Sequence, residues 1–398
     1  MMRQGNGISP AIEGTLQQLY DSSPSFPLSA SDRLVILSDL HLGDGSSRDD
    51  FLPNGELLQE ILRSYYLPGG HALVLNGDIE ELQRFSLESI RSRWEDLYAL
   101  FRRFGDCSGV HRIVGNHDEA LWRSDARLRE QPLRAALRLS FGADTLFVFH
   151  GHQATIFFER FNDLSGFFLR HFANRLHIRN IPAHYESTKR YRTEHRVYAF
   201  SNARKIVSVI GHTHRPLFES LSRVDTLRFR IEQLCRDYPA VSPRARREIE
   251  EMVEAYKKDL ALFTEKDRRD GARSSLYDEQ LPIPCLFNSG CAIGKRGLTA
   301  IEIEDGHIAL VHWFDARRSD RRRAGRRRRG HRGAEHGTGE HRGSDYRAAG
   351  SRRRSARGRS LLPPEAESTC RLGDSHYYRS VLKRDRLDYV FSRIRLLA

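Results

Sequence analysis

Five short apolar segments of this chain each end in an Asp, Asn or His, and in four of them a glycine stands beside that residue. Such segments predict buried β-strands, and open α/β sheets bind ligands beyond the carboxyl ends of their strands. The glycines let the backbone turn sharply where a ligand approaches. One Asp-x-His pair alone is weak evidence for a ligand site. Five such blocks in order argue against the alternative that these are ordinary polar residues at strand ends with satisfied hydrogen bonds. The blocks are Ser38-Asp39-Leu40-His41, Asn76-Gly77-Asp78, Gly115-Asn116-His117-Asp118, His150-Gly151-His152 and Gly211-His212-Thr213-His214.

In these blocks the chain resembles the calcineurin-like metallophosphoesterases, over roughly Arg33 to Phe314 and with an insertion. The resemblance implies a metal-dependent hydrolase of phosphoric esters or anhydrides. It also implies an α/β sandwich of two mixed β-sheets flanked by helices, with a helical lid and a helical insertion. Two metal sites would share one carboxylate: Asp39, His41, Asp78 and His214 in the first, and Asp78, Asn116, His150 and His212 in the second.

These donor side chains are imidazoles, carboxylates and one amide, a set that suits two divalent ions, with Mn²⁺ expected and Fe or Zn as alternatives. Such a pair clamps the attacking and leaving oxygens of an in-line displacement and provides a bridging hydroxide at neutral pH. The resemblance places His117 at the scissile phosphate, as general acid or charge stabiliser, with Asp118 orienting its ring.

Within that family the chain looks closer to bacterial UDP-2,3-diacylglucosamine pyrophosphatases of lipid A synthesis. The segments Ser38–Leu42 and Gly211–Pro216 and an aromatic, basic lid carry this similarity. The well-known branch of that group, however, has Arg in place of His117 and Asp in place of His152. A relative that hydrolyses another phosphate ester or pyrophosphate and the pyrophosphatase itself are therefore both expected functions.

The net charge of +13 is local rather than global. Residues 316–360 hold 17 of the 65 basic and 4 of the 52 acidic residues, so the remainder carries 48 of each. This segment lacks Leu, Ile, Val and Phe and is predicted to be disordered. It binds nucleic acid or acidic lipid, is a passive linker, or is translated out of frame. Nucleic-acid binding through this tract is the rival function to hydrolysis.

The chain divides around a predicted catalytic domain at 33–315. Residues 153–205 combine aromatic side chains with an excess of cations, and we predict a lid in which Arg190, Arg192 and Arg196 meet an anionic substrate; a solvated helical face is the alternative. The other predicted parts are a flexible N-terminal arm at 1–32, a helical insertion at 219–284, and an amphipathic helix at 361–398 that docks on the core or lies on a membrane.

Helices are predicted at Gly55 to Tyr66 and Ser86 to Phe104, from their apolar spacing. Three later segments are expected to be strands of the second sheet: Pro284 to Asn288, Leu298 to Ile303 and Ile308 to Phe314.

Five cysteines at irregular spacing suit a reducing compartment better than a disulfide framework. Residues 1–32 show no signal peptide, and no apolar run reaches the length of a membrane span. We therefore expect a cytoplasmic protein, with peripheral contact at the inner face of the membrane as an alternative. Its expected partner is a phosphorylated small molecule or a lipid-linked phosphate.

Overall fold

Two mixed β-sheets pack face to face between outer layers of helices, which confirms the predicted α/β sandwich. The computed structural model describes residues 8–124, 131–155, 187–221, 283–294, 297–318 and 368–398, with parts of 227–260. Within these ranges, no helix combines the length and the apolar character needed to cross a bilayer.

The larger sheet has eight strands. They are β2 (Leu34–Leu37), β3 (Ala72–Asn76), β4 (Val110–Ile113), β5 (Leu133–Arg134), β10 (Leu298–Glu304), β11 (His307–Asp315), β12 (Ser368–Arg371) and β13 (Tyr377–Arg386). Their order is β12-β13-β11-β10-β2-β3-β4-β5. Strands β2 to β5 run parallel, and the strands from β10 outward pair antiparallel. The parallel half therefore brings the ends of β2, β3 and β4 to one edge.

Within the described residues the smaller sheet has five strands, which are β1 (Ser25–Pro27), β6 (Ala136–Phe141), β7 (Asp144–Phe149), β8 (Val207–Ile210) and β9 (Leu286–Asn288). Their order is β1-β6-β7-β8-β9. Of the three late segments expected in this second sheet, only β9 lies here. The β10–β11 hairpin turns at Asp305-Gly306 and pairs antiparallel with β2, so it extends the larger sheet instead.

Side-chain alternation along the strands separates the core into layers. In β2, Val35 faces the helices outside the larger sheet, whereas Ile36 faces the smaller sheet. Those outer helices are α2 (Gly55–Ile61), α3 (Leu87–Arg93) and α4 (Glu95–Cys107), and a π-turn at Leu62–Tyr66 continues α2. The helix predicted from Ser86 is broken at Trp94, whose Nε1 donates to the carbonyl oxygen of Gly43 at 2.9 Å.

The outer face of the smaller sheet is covered by α1 (Pro10–Ser22) and α5 (Ser187–Arg204). The prediction of a flexible arm at 1–32 is therefore wrong for residues 10–27. Ser9 caps α1, Ile12 and Leu16 are buried, and β1 pairs with β6. Ile8, Leu19 and Tyr20 pack beside Ile12 and Leu16, but these contacts are made with strands more than a hundred residues later, so the segment's own sequence does not reveal them.

The C-terminal segment is a strand pair followed by a short helix, and not one amphipathic helix. Residues predicted as helical form β13, and α6 (Leu387–Leu397) follows directly. Leu387, Val390, Phe391 and Ile394 are fully buried against the layer between the sheets. The segment is therefore part of the core.

Several predicted segments fall outside the described residues. These are lid residues 156–186, most of the 219–284 insertion, and the Arg-rich tract from 319 onward. The tract was expected to begin at 316, but Ala316 is buried and donates its backbone N–H to His376.

Replacing Phe391 by alanine should destabilise the fold. Its ring is fully buried and stacks on Phe141 with 6.5 Å between centroids. Loss of a buried Phe typically costs about 3–5 kcal/mol, which denaturant unfolding would measure. Leu396→Ala is the matched control on the same helix, because that side chain is 83% exposed. Equal effects from both substitutions would contradict the assignment of α6 to the core.

Candidate metal centre

The five sequence blocks converge at one place, where the ends of β2, β3 and β4 meet the ends of β7 and β8. Three groups of side chains there have donor atoms within 4.8 Å of one another: Asp39, His41 and His214; His41, Asp78 and His117; and Asp78, His150 and His212. The first and third groups correspond to the two predicted metal sites, and the second lies between them. The two sheets contribute donors to the same cluster.

The backbone is strained where these donors lie. Asp39, His41, Asp78, His212 and His214 all have φ between 50° and 63°. This left-handed conformation is uncommon outside glycine, although Asp and His adopt it more readily than most residues. Gly115 has no side chain to overlap the Asp78 carboxylate, and Gly211 has none to overlap Ser38.

Asp39 is held so that one carboxylate oxygen faces His214. The Ser38 hydroxyl donates to Asp39 Oδ2 at 2.5 Å, and the backbone N–H of His212 donates to the carboxylate at 3.0–3.1 Å. Asp39 Oδ1 then lies 3.0 Å from His214 Nε2. Burial would raise the pKa of Asp39, but the neighbouring His214 and His150 lower it, so the group is a carboxylate.

Asp78 belongs to the second and third of these donor groups. Its Oδ1 accepts from the backbone N–H of His117 at 2.8 Å, and its Oδ2 lies 3.1 Å from His150 Nε2 and 4.0 Å from His41 Nε2. His150 Nδ1 donates to the carbonyl oxygen of Asn76 at 2.9 Å, so Nε2 is the nitrogen that faces the carboxylate. With that nitrogen deprotonated, two acceptors would face each other, and a proton or a metal ion between them removes the repulsion.

The pKa values favour a cation at the same point. Burial alone would lower the pKa of His150, but the charges of Asp78 and Asp39 raise it to about 10. A metal ion would take the place of that proton. Asn116 Oδ1 is also buried and has no hydrogen-bond partner among the described residues, as expected for a neutral ligand.

His41 and His212 offer neutral nitrogens. His41 Nδ1 donates to Glu81 at 3.1 Å, which directs Nε2 to within 3.2 Å of His214 Nε2. Burial lowers the pKa of His41, and burial with the His150 charge lowers that of His212 to about 3. The seven predicted ligands therefore fit a pair of divalent ions.

The orientation of His117 differs from the prediction. Asp118 accepts from the backbone N–H groups of Ile79 and Gly115 and makes no hydrogen bond with the His117 ring. Glu81 orients the ring instead, with its carboxylate 2.9 Å from His117 Nδ1. Asp118 is wholly buried beside the backbone, so it fixes the loop and not the ring.

Glu81 is thus a functional residue that the sequence did not reveal. It contacts both His41 and His117 and is 3% exposed. Its place three residues after Asp78 was visible in the sequence, but an Asp-Ile-Glu-Glu run gives no sign that one glutamate is buried against two imidazoles.

The three arginines predicted to meet the substrate do not form one face of α5. At about 100° per residue, Arg190 projects about 200° away from Arg192. Arg192 is exposed, whereas Arg196 donates to the carbonyl oxygen of Ala154 at 3.0 Å. The three side chains therefore do not share one helix face, and their contact with an anionic substrate stays a prediction.

Comparisons with known proteins give a family match over part of the chain and low-scoring structural matches. Residues 32–216 match the family model described as calcineurin-like phosphoesterase. No curated protein matches the chain. A predicted phosphoesterase from Streptococcus pneumoniae TIGR4 is 13% identical over 70% of this chain and 87% of its own, with a TM-score of 0.24. A dimetal phosphatase from Danio rerio is 10% identical over 70% and 95%, with a TM-score of 0.30. TM-scores this low carry no argument about activity.

Asp78→Ala should remove bound metal and abolish hydrolysis, because its carboxylate belongs to two of the three donor groups and is predicted to bridge the two ions. Metal content after dialysis against Mn²⁺, measured by mass spectrometry, checks this directly. Asp96→Ala, an exposed carboxylate on α4, is the control. Unchanged metal content in Asp78→Ala would contradict the hypothesis that Asp78 is a ligand shared by both ions.

Glu81→Gln should shift the pH profile of kcat. Burial tends to lower the pKa of His117, but Asp78 and the hydrogen bond and charge of Glu81 raise it to about 9. Removing the Glu81 charge lowers that pKa, so the alkaline limb of the profile should move to lower pH. Glu95→Gln, at an exposed position, should leave the profile in place. An unmoved profile in Glu81→Gln would show that this carboxylate does not act on His117.

Proposed function

We propose that this chain, residues 32–216 of which match the calcineurin-like phosphoesterase family model, hydrolyses a phosphate ester or pyrophosphate bond with two divalent ions. The domain is a metal-dependent phosphoester hydrolase. The proposal adds the number of ions, the role of each ligand and the class of bond.

The observation that carries the proposal is the position of Asp78. Its carboxylate belongs to two of the three donor groups, and a third group containing Asp39 and His214 adjoins them through His41. When bound, two ions would polarise the phosphoryl group and lower the pKa of a water nucleophile. Asp39, His41, Asp78 and His214 would hold one ion, and Asp78, Asn116, His150 and His212 the other.

His117 is proposed to act on the substrate. Its Nδ1 donates to Glu81, so Nε2 is the nitrogen available to a phosphoryl or leaving-group oxygen. Its ring lies edge-on to His41, with 4.7 Å between centroids, and its side chain is 13% exposed. The pKa of about 9 keeps a proton on this ring, and bound cations would lower it toward neutrality. That range suits a general acid.

Two classes of substrate are candidates for this site. UDP-2,3-diacylglucosamine is suggested by the Gly211–Pro216 similarity, while His117 and His152 depart from the well-known branch of that group. Another phosphate ester or pyrophosphate accommodates both departures. The rival function of nucleic-acid binding depends on a tract that lies outside the described residues, apart from Arg317 and Arg318.

His117→Ala should retain both ions and slow turnover by about 10²–10⁴-fold. The assay compares Mn²⁺ content with kcat on a small chromogenic phosphoester, on its diester and on UDP-2,3-diacylglucosamine. His307→Ala, in β11 outside the site, is the matched control. Loss of metal in His117→Ala would indicate that His117 is a metal ligand and not a group that acts on the substrate. Wild-type protein that is loaded with Mn²⁺ and cleaves none of these substrates would contradict the proposed function.

A further inference from the structure

Helix α5 places a buried carboxylate against the loop that carries two of the metal-site histidines. Glu194 is fully buried. It accepts from the hydroxyl of Thr213 at 2.6 Å and from Arg215 Nε at 3.2 Å, and Arg215 Nη2 donates to its other oxygen. Thr213 stands between His212 and His214, so Glu194 contacts the residues on both sides of His214.

The hydroxyl of Thr213 is fixed in both of its hydrogen-bonding roles. It donates to Glu194 and accepts from Asn288 Nδ2 at 2.8 Å. Asn288 Nδ2 also donates to the carbonyl oxygen of Gly211 at 3.0 Å. One helix and one strand end thus hold the turn from opposite sides.

This turn needs such support because of its backbone. His212 and His214 have φ of 63° and 56°, and non-glycine residues in this strained region persist only where the surrounding structure determines their conformation. The two imidazoles belong to different donor groups. The shape of the turn therefore sets the distance between the two metal positions.

Glu194 cannot move away from this turn without losing its partners. A buried carboxylate that is left unpaired is strongly destabilising. The same helix is anchored by Val197 and Phe200, which pack in the core between α5 and the smaller sheet. The core therefore sets the position of the carboxylate, and the hydrogen bonds from Thr213 and Arg215 fix the turn relative to it.

We propose that Glu194 is a positioning residue for the metal centre, which holds His212 and His214 at the separation that two ions require. It touches neither ion nor substrate. The inference rests on the metal site of the proposed function, but it concerns metal affinity and is independent of which phosphate compound is cleaved.

The test measures Mn²⁺ binding by titration calorimetry for Glu194→Ala, Glu194→Gln and a matched control. Loss of a partner that orients metal ligands typically costs 10–100-fold in affinity, which is the increase in Kd expected for Glu194→Ala. Glu194→Gln should recover most of it, since its amide oxygen still accepts from Thr213.

Glu302→Ala is the control because Glu302 is an equally buried glutamate outside the metal centre. It accepts from Tyr66 and Arg379. Its loss should lower Tm as Glu194→Ala does, while the Kd for Mn²⁺ stays at the wild-type value. An unchanged Kd in Glu194→Ala, or an equal loss of affinity in Glu302→Ala, would overturn the proposal.

Thr213→Val gives a second reading if Glu194→Ala does not fold. It removes the hydroxyl but keeps the carboxylate paired with Arg215, and it should also raise the Kd. Wild-type affinity in Thr213→Val would overturn the proposed route from helix to turn. A wild-type protein that binds Mn²⁺ but cleaves no phosphate compound would contradict the proposed function without contradicting this inference.

Discussion

Left-handed backbone at five ligand positions is the constraint on which the rest of this structure depends. Each such residue costs on the order of 1–3 kcal/mol and persists only because the surrounding structure determines its conformation. The compensation comes from buried hydrogen bonds that cross between elements. The Asp39 carboxylate at the end of β2 accepts from the backbone of His212 after β8, so a residue of one sheet fixes the turn of the other. The sheets must therefore keep one relative position for the centre to exist.

A second buried network supports the loops after β3 and β4 and explains why Asp118 has a structural role. Glu80 accepts from the hydroxyl of Tyr98 and from Arg112, and Arg112 lies 4.0 Å from Asp118. Burial, with the charges of Asp78 and Glu80, raises the pKa of Asp118 to about 7. Its two oxygens are occupied by backbone N–H groups, which leaves Glu81 to orient the imidazole. Adjacent glutamates thus have separate roles, Glu80 in the scaffold and Glu81 at the site.

The sequence was informative where the signal is local. Strand ends, glycines and donor types stand next to one another in the chain, so the sandwich fold and the clustering of the candidate donors could be predicted from it. Glu81 and Glu194 could not, because their proposed roles depend on burial against residues up to 40 and 21 positions away. The same limit explains the errors at the termini. Strand β13 was predicted as helix because its pairing with β11 is a long-range contact, and α1 depends on a sheet formed more than a hundred residues later.

The metal positions lie between the two sheets, since Asp39, His41, Asp78 and Asn116 follow strands of one sheet and the remaining histidines follow strands of the other. Bound ions would stabilise this arrangement by mass action. In the absence of bound ions, a proton on His150 offsets the negative charge of Asp78. Because the folded pKa of His150 is raised from 6.5 to about 10, that stabilisation is complete below the unfolded pKa and is lost as pH rises through the folded one. A metal ion bound there would therefore compete with this proton for one position, beside the Asp78 carboxylate that belongs to two of the three donor groups.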